Sequence, residues 1–183
     1  MIMSRLKHST LAQHLEVEAL MPVLHPGLTL PAYAGLLTQI YAAVQPLEAG
    51  LQALTLPEPF ELPARLKTPL LVSDLQAVSG ATPAPRPPLR PQGVPEALGV
   101  LYVLEGATLG GQVIGRHLNS ALGLTPETGA AYFHAYGART GTMWKAFTQA
   151  MNREVPIEAE ERVIGGAQTA FEAFRRVLAG TPA

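Results

Sequence analysis

Apolar residues recur at three- and four-residue spacing along almost the whole chain, while alternating runs of the strand kind are scarce. This spacing predicts a first helix over residues 4 to about 24, with Ser4 as N-cap and Pro26-Gly27 closing the segment. A second helix is predicted over 31–54, with Tyr33, Leu36, Leu37, Ile40, Tyr41, Val44, Leu47 and Leu51 on one broad face. A third covers 61–78 and carries Leu66, Leu70, Leu71 and Leu75. Residues 82–95 then hold six prolines, which fit a semi-extended connector and not a helix interior. A fourth helix runs from about Pro95 to Leu122; beyond Gly123 the pattern loosens around Tyr132, Phe133 and Tyr136. A fifth fits 140–153. The sixth starts near Pro156, has Glu158, Glu160 and Glu161 in its first turns, and buries Val163, Ala167, Phe171, Phe174 and Leu178. No internal repeat is present. The pattern predicts an all-α, multi-helix bundle in one domain over 1–183.

Composition narrows the class. With 48% hydrophobic and 15% charged residues in 183, the chain can bury a sizeable core. A net charge of −1 with no basic stripe argues against a nucleic-acid partner. The absence of cysteine excludes disulfides, thiolate metal sites, iron–sulfur clusters and cysteine nucleophiles. The N-terminal segment enters an amphipathic, charged pattern and has no signal-peptide apolar core, and no run approaches the ~18 uninterrupted apolar residues of a membrane span. The expectation is a cytoplasmic protein without a membrane partner.

Two segments carry candidate chemistry. Lys7, Leu11, His14 and Glu18 are spaced four, three and four apart and so share one helical face. An imidazole can give one ring nitrogen to a metal while a carboxylate one turn on orients the other. Lys7 lies two turns back, roughly 10 Å along the axis. The second segment, Leu98 to Leu118, reads as helix yet contains Gly99, Gly106, Gly110, Gly111 and Gly115. The last four together cost on the order of 2–4 kcal/mol relative to alanine, so a compensating reason is expected. Either a bare face lets the backbone approach a flat ligand, or the small residues let another helix pack closely. Glu105, Gln112 and Arg116 interrupt the segment and exclude a membrane dimer. His8 and His25 read as surface residues; His117 and His134 lack an acidic partner in helical register.

Taken together, these segments resemble the heme oxygenase family, in particular its bacterial biliverdin-producing branch associated with bacteriophytochromes. Leu6 to Glu18 is similar to the family's proximal helix, Leu101 to Val113 to its distal helix, and Arg162 to Phe171 to its last long helix. The resemblance implies His14 as axial ligand of heme b iron, Glu18 as its orienting partner and Lys7 as a contact for a heme propionate. It places the backbone of Gly106 and Gly110 over the iron, with Gly111 beside them and Phe171 lining the pocket. Many members have an aspartate directly after the first distal glycine, where this chain has Ala107; Thr108 is then the candidate for relaying protons. Arg139 and Lys145 are candidates for the remaining propionate contacts.

The implied activity is cleavage of heme by O2 and externally supplied electrons to biliverdin, carbon monoxide and ferrous iron, for bilin chromophore supply or iron release. A ferredoxin or flavin reductase would be the electron donor and a bacteriophytochrome a possible acceptor of the product. A wall of Gly106, Ala107 and Gly110 offers no acid of the kind that promotes O–O cleavage elsewhere. Ala107 keeps open the alternative of a non-catalytic heme sensor or carrier on the same scaffold. An unrelated bundle, thiaminase-like in topology, is the third reading; lack of a thiol opposes it.

Overall fold

The computed structural model describes residues 1–81 and 83–180. Thr82, the first residue of the expected connector, and residues 181–183 of the expected domain lie outside the described residues. Among the described residues ten helices follow one another: α1 (Ile2–Ser9), α2 (Leu11–Ala19), α3 (Leu30–Gln52), α4 (Leu62–Arg65), α5 (Thr68–Ser79), α6 (Val94–Gly106), α7 (Gly111–Leu122), α8 (Ala131–His134), α9 (Thr140–Glu154) and α10 (Glu160–Leu178). Short 3-10 or π turns join several of them, and there is no strand among the described residues. The all-α expectation is therefore met.

The periodic faces pack as their spacing requires. All eight residues predicted for the face of α3 are buried, as is the α10 stripe from Val163 to Leu178. Thr29 caps α3, its hydroxyl accepting from the Ala32 N–H at 3.3 Å. α6 and α10 form the centre of the bundle and touch backbone to backbone. A Cβ on Gly99 would lie 1.9 Å from the Val163 carbonyl oxygen, and one on Gly166 would lie 2.0 Å from the Glu96 carbonyl oxygen.

Three predicted helices are broken, each for a different reason. The first begins at Ile2, not Ser4, because Ile2 and Leu6 are buried and tertiary packing outweighs the missing cap. It then breaks at Thr10 (φ −115°, ψ 5°), whose hydroxyl donates to the Leu6 carbonyl at 2.8 Å. Arg5 ties α1 to the start of α10 through Glu160 and Glu161. The third stops at Leu66-Lys67, where the buried Glu48 carboxylate of α3 accepts from the Lys67 and Thr68 N–H groups and caps α5. The fourth divides into α6 and α7, whose axes are bent by 42°. Only as that bent pair do these helices reach the length and apolarity of a span; no single helix among the described residues does so.

The proline-rich connector is a docked strap. Residues 83–92 have no regular structure, yet the Leu89 N–H donates to the Pro46 carbonyl at 2.9 Å, the Arg86 N–H to Gln45 Oε1 at 2.7 Å, and the Tyr41 hydroxyl to the Pro83 carbonyl at 3.3 Å. Gly50 makes room for it, since a Cβ there would meet the Leu89 carbonyl oxygen at 1.9 Å.

Two adjacent glycines of α10 separate helix propensity from packing. Gly165 faces open space whereas Gly166 abuts α6. Gly165→Ala is expected to stabilise the protein by ~0.5–1 kcal/mol. Gly166→Ala is expected to destabilise it by ~1–3 kcal/mol or more, because the clash is with backbone. Denaturant unfolding of the two variants provides the comparison.

Candidate functional site

α2 and α10 on one side, and α6 with the start of α7 on the other, enclose a cavity of about 480 Å³. Pockets of this size hold a ligand of a few tens of heavy atoms. One wall is built from α1 and α2. Lys7, Thr10, Leu11, His14, Val17 and Glu18 all line it, so the predicted face is presented to a common space. His14 Nε2 lies 3.3 Å from Glu18 Oε1, which puts the carboxylate beside one ring nitrogen and leaves the other available. The imidazole is tilted 54° to the Phe171 ring, with centroids 6.0 Å apart.

The facing wall is defined by missing side chains. A Cβ on Gly106 would have no neighbour within 4 Å, and one on Gly110 would touch only Ile114 Cδ1 at 3.6 Å. Both glycines line the cavity, with Ala107 and Leu109 between them. Gly111 and Gly115 serve the other purpose considered for the segment. A Cβ on Gly111 would lie 1.8 Å from the Phe133 carbonyl oxygen, and one on Gly115 would lie 2.8 Å from His134 Nε2. These two seat α7 on α8. Close packing thus accounts for Gly111 and Gly115, whereas Gly106 and Gly110 leave their face open to the cavity.

Four sequence-predicted residues are not brought to the cavity. Thr108 is 7% exposed and its hydroxyl donates to the Glu105 carbonyl at 2.7 Å, closing the turn at the end of α6. It is absent from the lining, and its hydrogen bond helps hold the break. Gly111 is buried against α8. Arg139 is exposed in the turn Gly137–Arg139, and neither it nor Lys145 lines the cavity. Lys7 is the only lysine or arginine in the lining among the described residues.

Several lining residues went unnoticed in the sequence. Tyr102 lies four residues before Gly106, on the same face of α6, and that spacing was readable. Its hydroxyl reaches the Thr10 side chain, and burial raises its pKa above the ordinary tyrosine value despite that hydrogen bond. The chain's single tryptophan, Trp144 of α9, backs the Tyr102 ring at 6.2 Å between centroids and packs on Phe147 at 5.7 Å. Tyr132 and Phe133 of α8 complete the apolar end.

Beneath the end of α6 lies a fully buried charge cluster. The Glu105 carboxylate pairs with Arg65 and with Lys67 Nζ at 3.0 Å, and accepts from the Tyr136 hydroxyl at 2.6 Å. Burial lowers the Lys67 pKa against the pull of Glu105 and raises that of Tyr136. Asp74 of α5 plays a related part, accepting from the Ala131 and Tyr132 N–H groups at 2.8 Å each and so fixing the start of α8. Burial raises its pKa, with those two hydrogen bonds opposing the shift.

A helical bundle with an imidazole facing a side-chain-free helix segment across an apolar cavity defines a protein that can grip a flat, metal-bearing ligand between two helices. The sequence profile of the heme oxygenase family matches residues 1–180, and the chain belongs to that family. A heme oxygenase from Neisseria meningitidis, solved with NO and CO bound, superposes with a TM-score of 0.81 at 26% identity, covering 100% of this chain and 94% of that one. Heme oxygenase from Leptospira interrogans has the same fold at 16% identity, with a TM-score of 0.79 and 98% of both chains covered. No curated protein matches the sequence significantly. The family acts on heme as substrate, and the donor set here fits that group: an orientable imidazole on one wall, open space over two glycines on the other.

Gly106→Leu is expected to leave the protein folded while lowering its affinity for hemin at least tenfold, since the added side chain fills only the cavity. Gly111→Ala is expected to destabilise the fold by ~1–3 kcal/mol through its clash with Phe133. Soret titration and thermal unfolding, run on both variants, test this division.

Proposed function

We propose that this protein cleaves heme to biliverdin, carbon monoxide and ferrous iron, using O2 and electrons from an external donor. The observation that carries the reading is the opposition of His14 to Gly106 and Gly110 across one cavity. Bound heme supplies the iron at which O2 is activated. His14 would give one imidazole nitrogen to that iron, with the Glu18 carboxylate 3.3 Å from the ring to orient it. On the other face Gly106, Ala107 and Gly110 present no side-chain acid to the cavity, so a bound macrocycle would meet no proton donor from these three residues. The lining is mostly apolar, and Thr10 and Tyr102 are among the few hydroxyl groups facing the cavity.

Orientation of the macrocycle rests on few charges. Lys7 on α1 is the cation positioned to receive a propionate, and the Tyr102–Thr10 contact stands beside it as a neutral partner. The chain has no cysteine for an iron–sulfur centre, in keeping with a ferredoxin or flavin reductase as separate donor. Cytoplasmic location and supply of the bilin to a bacteriophytochrome, or alternatively release of iron, complete the reading.

The test is optical. Purified protein mixed with hemin should show a Soret band. Addition of ascorbate or a ferredoxin system in air should replace it with the broad red absorbance of biliverdin. His14→Ala should abolish that turnover, and Glu18→Gln should weaken hemin binding or turnover by about 10- to 100-fold. A Soret band that persists under reductant and oxygen would identify a heme carrier instead.

A further inference from the structure

We propose that Glu105 and Tyr136 are positioning residues that clamp the break between α6 and α7 and thereby set the height of the glycine wall over the cavity. The proposal takes the heme reading for its functional meaning, but the clamp itself can be tested without heme.

Within the segment the break is held by short turn hydrogen bonds, from the Thr108 hydroxyl and N–H to the Glu105 carbonyl, the Leu109 N–H to the Gly106 carbonyl and the Gly111 N–H to the Thr108 carbonyl, while its side chains pack on little. Ala107, Leu109 and Gly110 are exposed, Gly106 has nothing within 4 Å of a Cβ position, and Gly110 touches only its own helix at Ile114. Those turns close the chain locally, and contacts from outside the segment are what can fix the 42° bend against the rest of the bundle.

On the α6 side the anchor is Glu105, 1% exposed and one residue before Gly106. Its carboxylate takes Arg65, Lys67 and the Tyr136 hydroxyl, and its carbonyl takes both the Thr108 hydroxyl at 2.7 Å and the Thr108 N–H at 3.1 Å. The two cations are themselves fixed. Arg65 Nε donates to the Phe60 carbonyl at 2.6 Å, and the Lys67 backbone N–H is held by Glu48 of α3. On the α7 side the contact is with α8, through Gly111 on the Phe133 carbonyl and Gly115 on the His134 ring. Tyr136 follows α8 by two residues, so its bond to Glu105 joins the end of α6 to the support of α7.

The turn that brings Tyr136 into place is strained. Ala135, between His134 and Tyr136, sits at φ 41°, ψ −104°, a conformation that a residue with a Cβ adopts only when its surroundings force it. Strain of this kind persists where contacts on both sides over-determine the backbone. Neither Glu105 nor Tyr136 lines the cavity, so their action on the ligand passes through the glycine segment.

Tyr136→Phe is the first variant, because it keeps the ring beneath Lys67 Nζ, 4.4 Å from its centroid, and removes only the hydroxyl. Amide hydrogen exchange is followed in the heme-free protein. The expected result is exchange about tenfold faster or more at residues 107–113, with the α10 amides from Val163 to Phe174 within about twofold of the parent. Hemin affinity should fall with it. A uniform rise across both regions, or no rise at 107–113, overturns the clamp and leaves Tyr136 an ordinary core residue. Tyr33→Phe is the control, since its hydroxyl bonds the Gly129 carbonyl at 2.8 Å away from the break; it should not accelerate 107–113 selectively, and a matching local rise would also overturn the proposal. If the parent fails to bind hemin the functional reading is lost, while the exchange comparison still decides the clamp.

Discussion

Two helix backbones in direct contact set the geometry of everything around them. Side chains ordinarily keep packed helix axes ~8–10 Å apart. At Gly99 and Gly166 there is none to do so, and the carbonyls of Val163 and Glu96 stand where Cβ atoms would be. α6 and α10 therefore behave as one unit. Each continues from that contact to the cavity, α6 delivering Tyr102 and Gly106, α10 delivering Phe171 and Phe174. The width available to a ligand is fixed by how α1 and α2 lie on this pair. The pocket inherits its precision from a packing contact outside it.

Periodicity made most of the architecture legible. The faces of α3 and α10 were written in spacings that only a helix can turn into a stripe, and burial followed. His14 with Glu18, and Gly106 with Gly110, were legible for the same reason: a helix converts intervals of four into a shared face. What stayed hidden depended on partners distant in the chain. Glu48 interrupts a helix almost twenty residues away by capping α5. Nothing local distinguishes Gly110, open to the cavity, from Gly111, pressed on Phe133; the difference belongs to α8. Thr108 and Arg139 were candidates by proximity in sequence, and the fold points one into the backbone and leaves the other in solvent. Tyr102 is the instructive miss, since its register was available but an aromatic on an apolar helix reads as core.

The two walls are made by opposite means. The proximal one adds function through side chains with hydrogen-bonding capacity. The distal one works by subtraction, and a surface made by subtraction has no interlocking side chains to keep it in shape. The buried carboxylate at its root is accordingly expensive: a charge removed from water, matched by two cations and a phenol. Buried ion pairs add little net stability compared with apolar packing, so their worth here lies in fixing one arrangement of the backbone.

α2 stands apart from this rigid frame. Thr10 separates it from α1, Val17 is its only buried residue, and Leu11 and Leu15 are 47% and 56% exposed. So little buried apolar area gives the segment a lower opening free energy than the helices of the core. A planar ligand laid against Leu11 and His14 supplies the surface that the polypeptide lacks there. On the proposed reading the substrate then serves as a removable piece of the hydrophobic core, covering apolar side chains of α2 that the polypeptide leaves open.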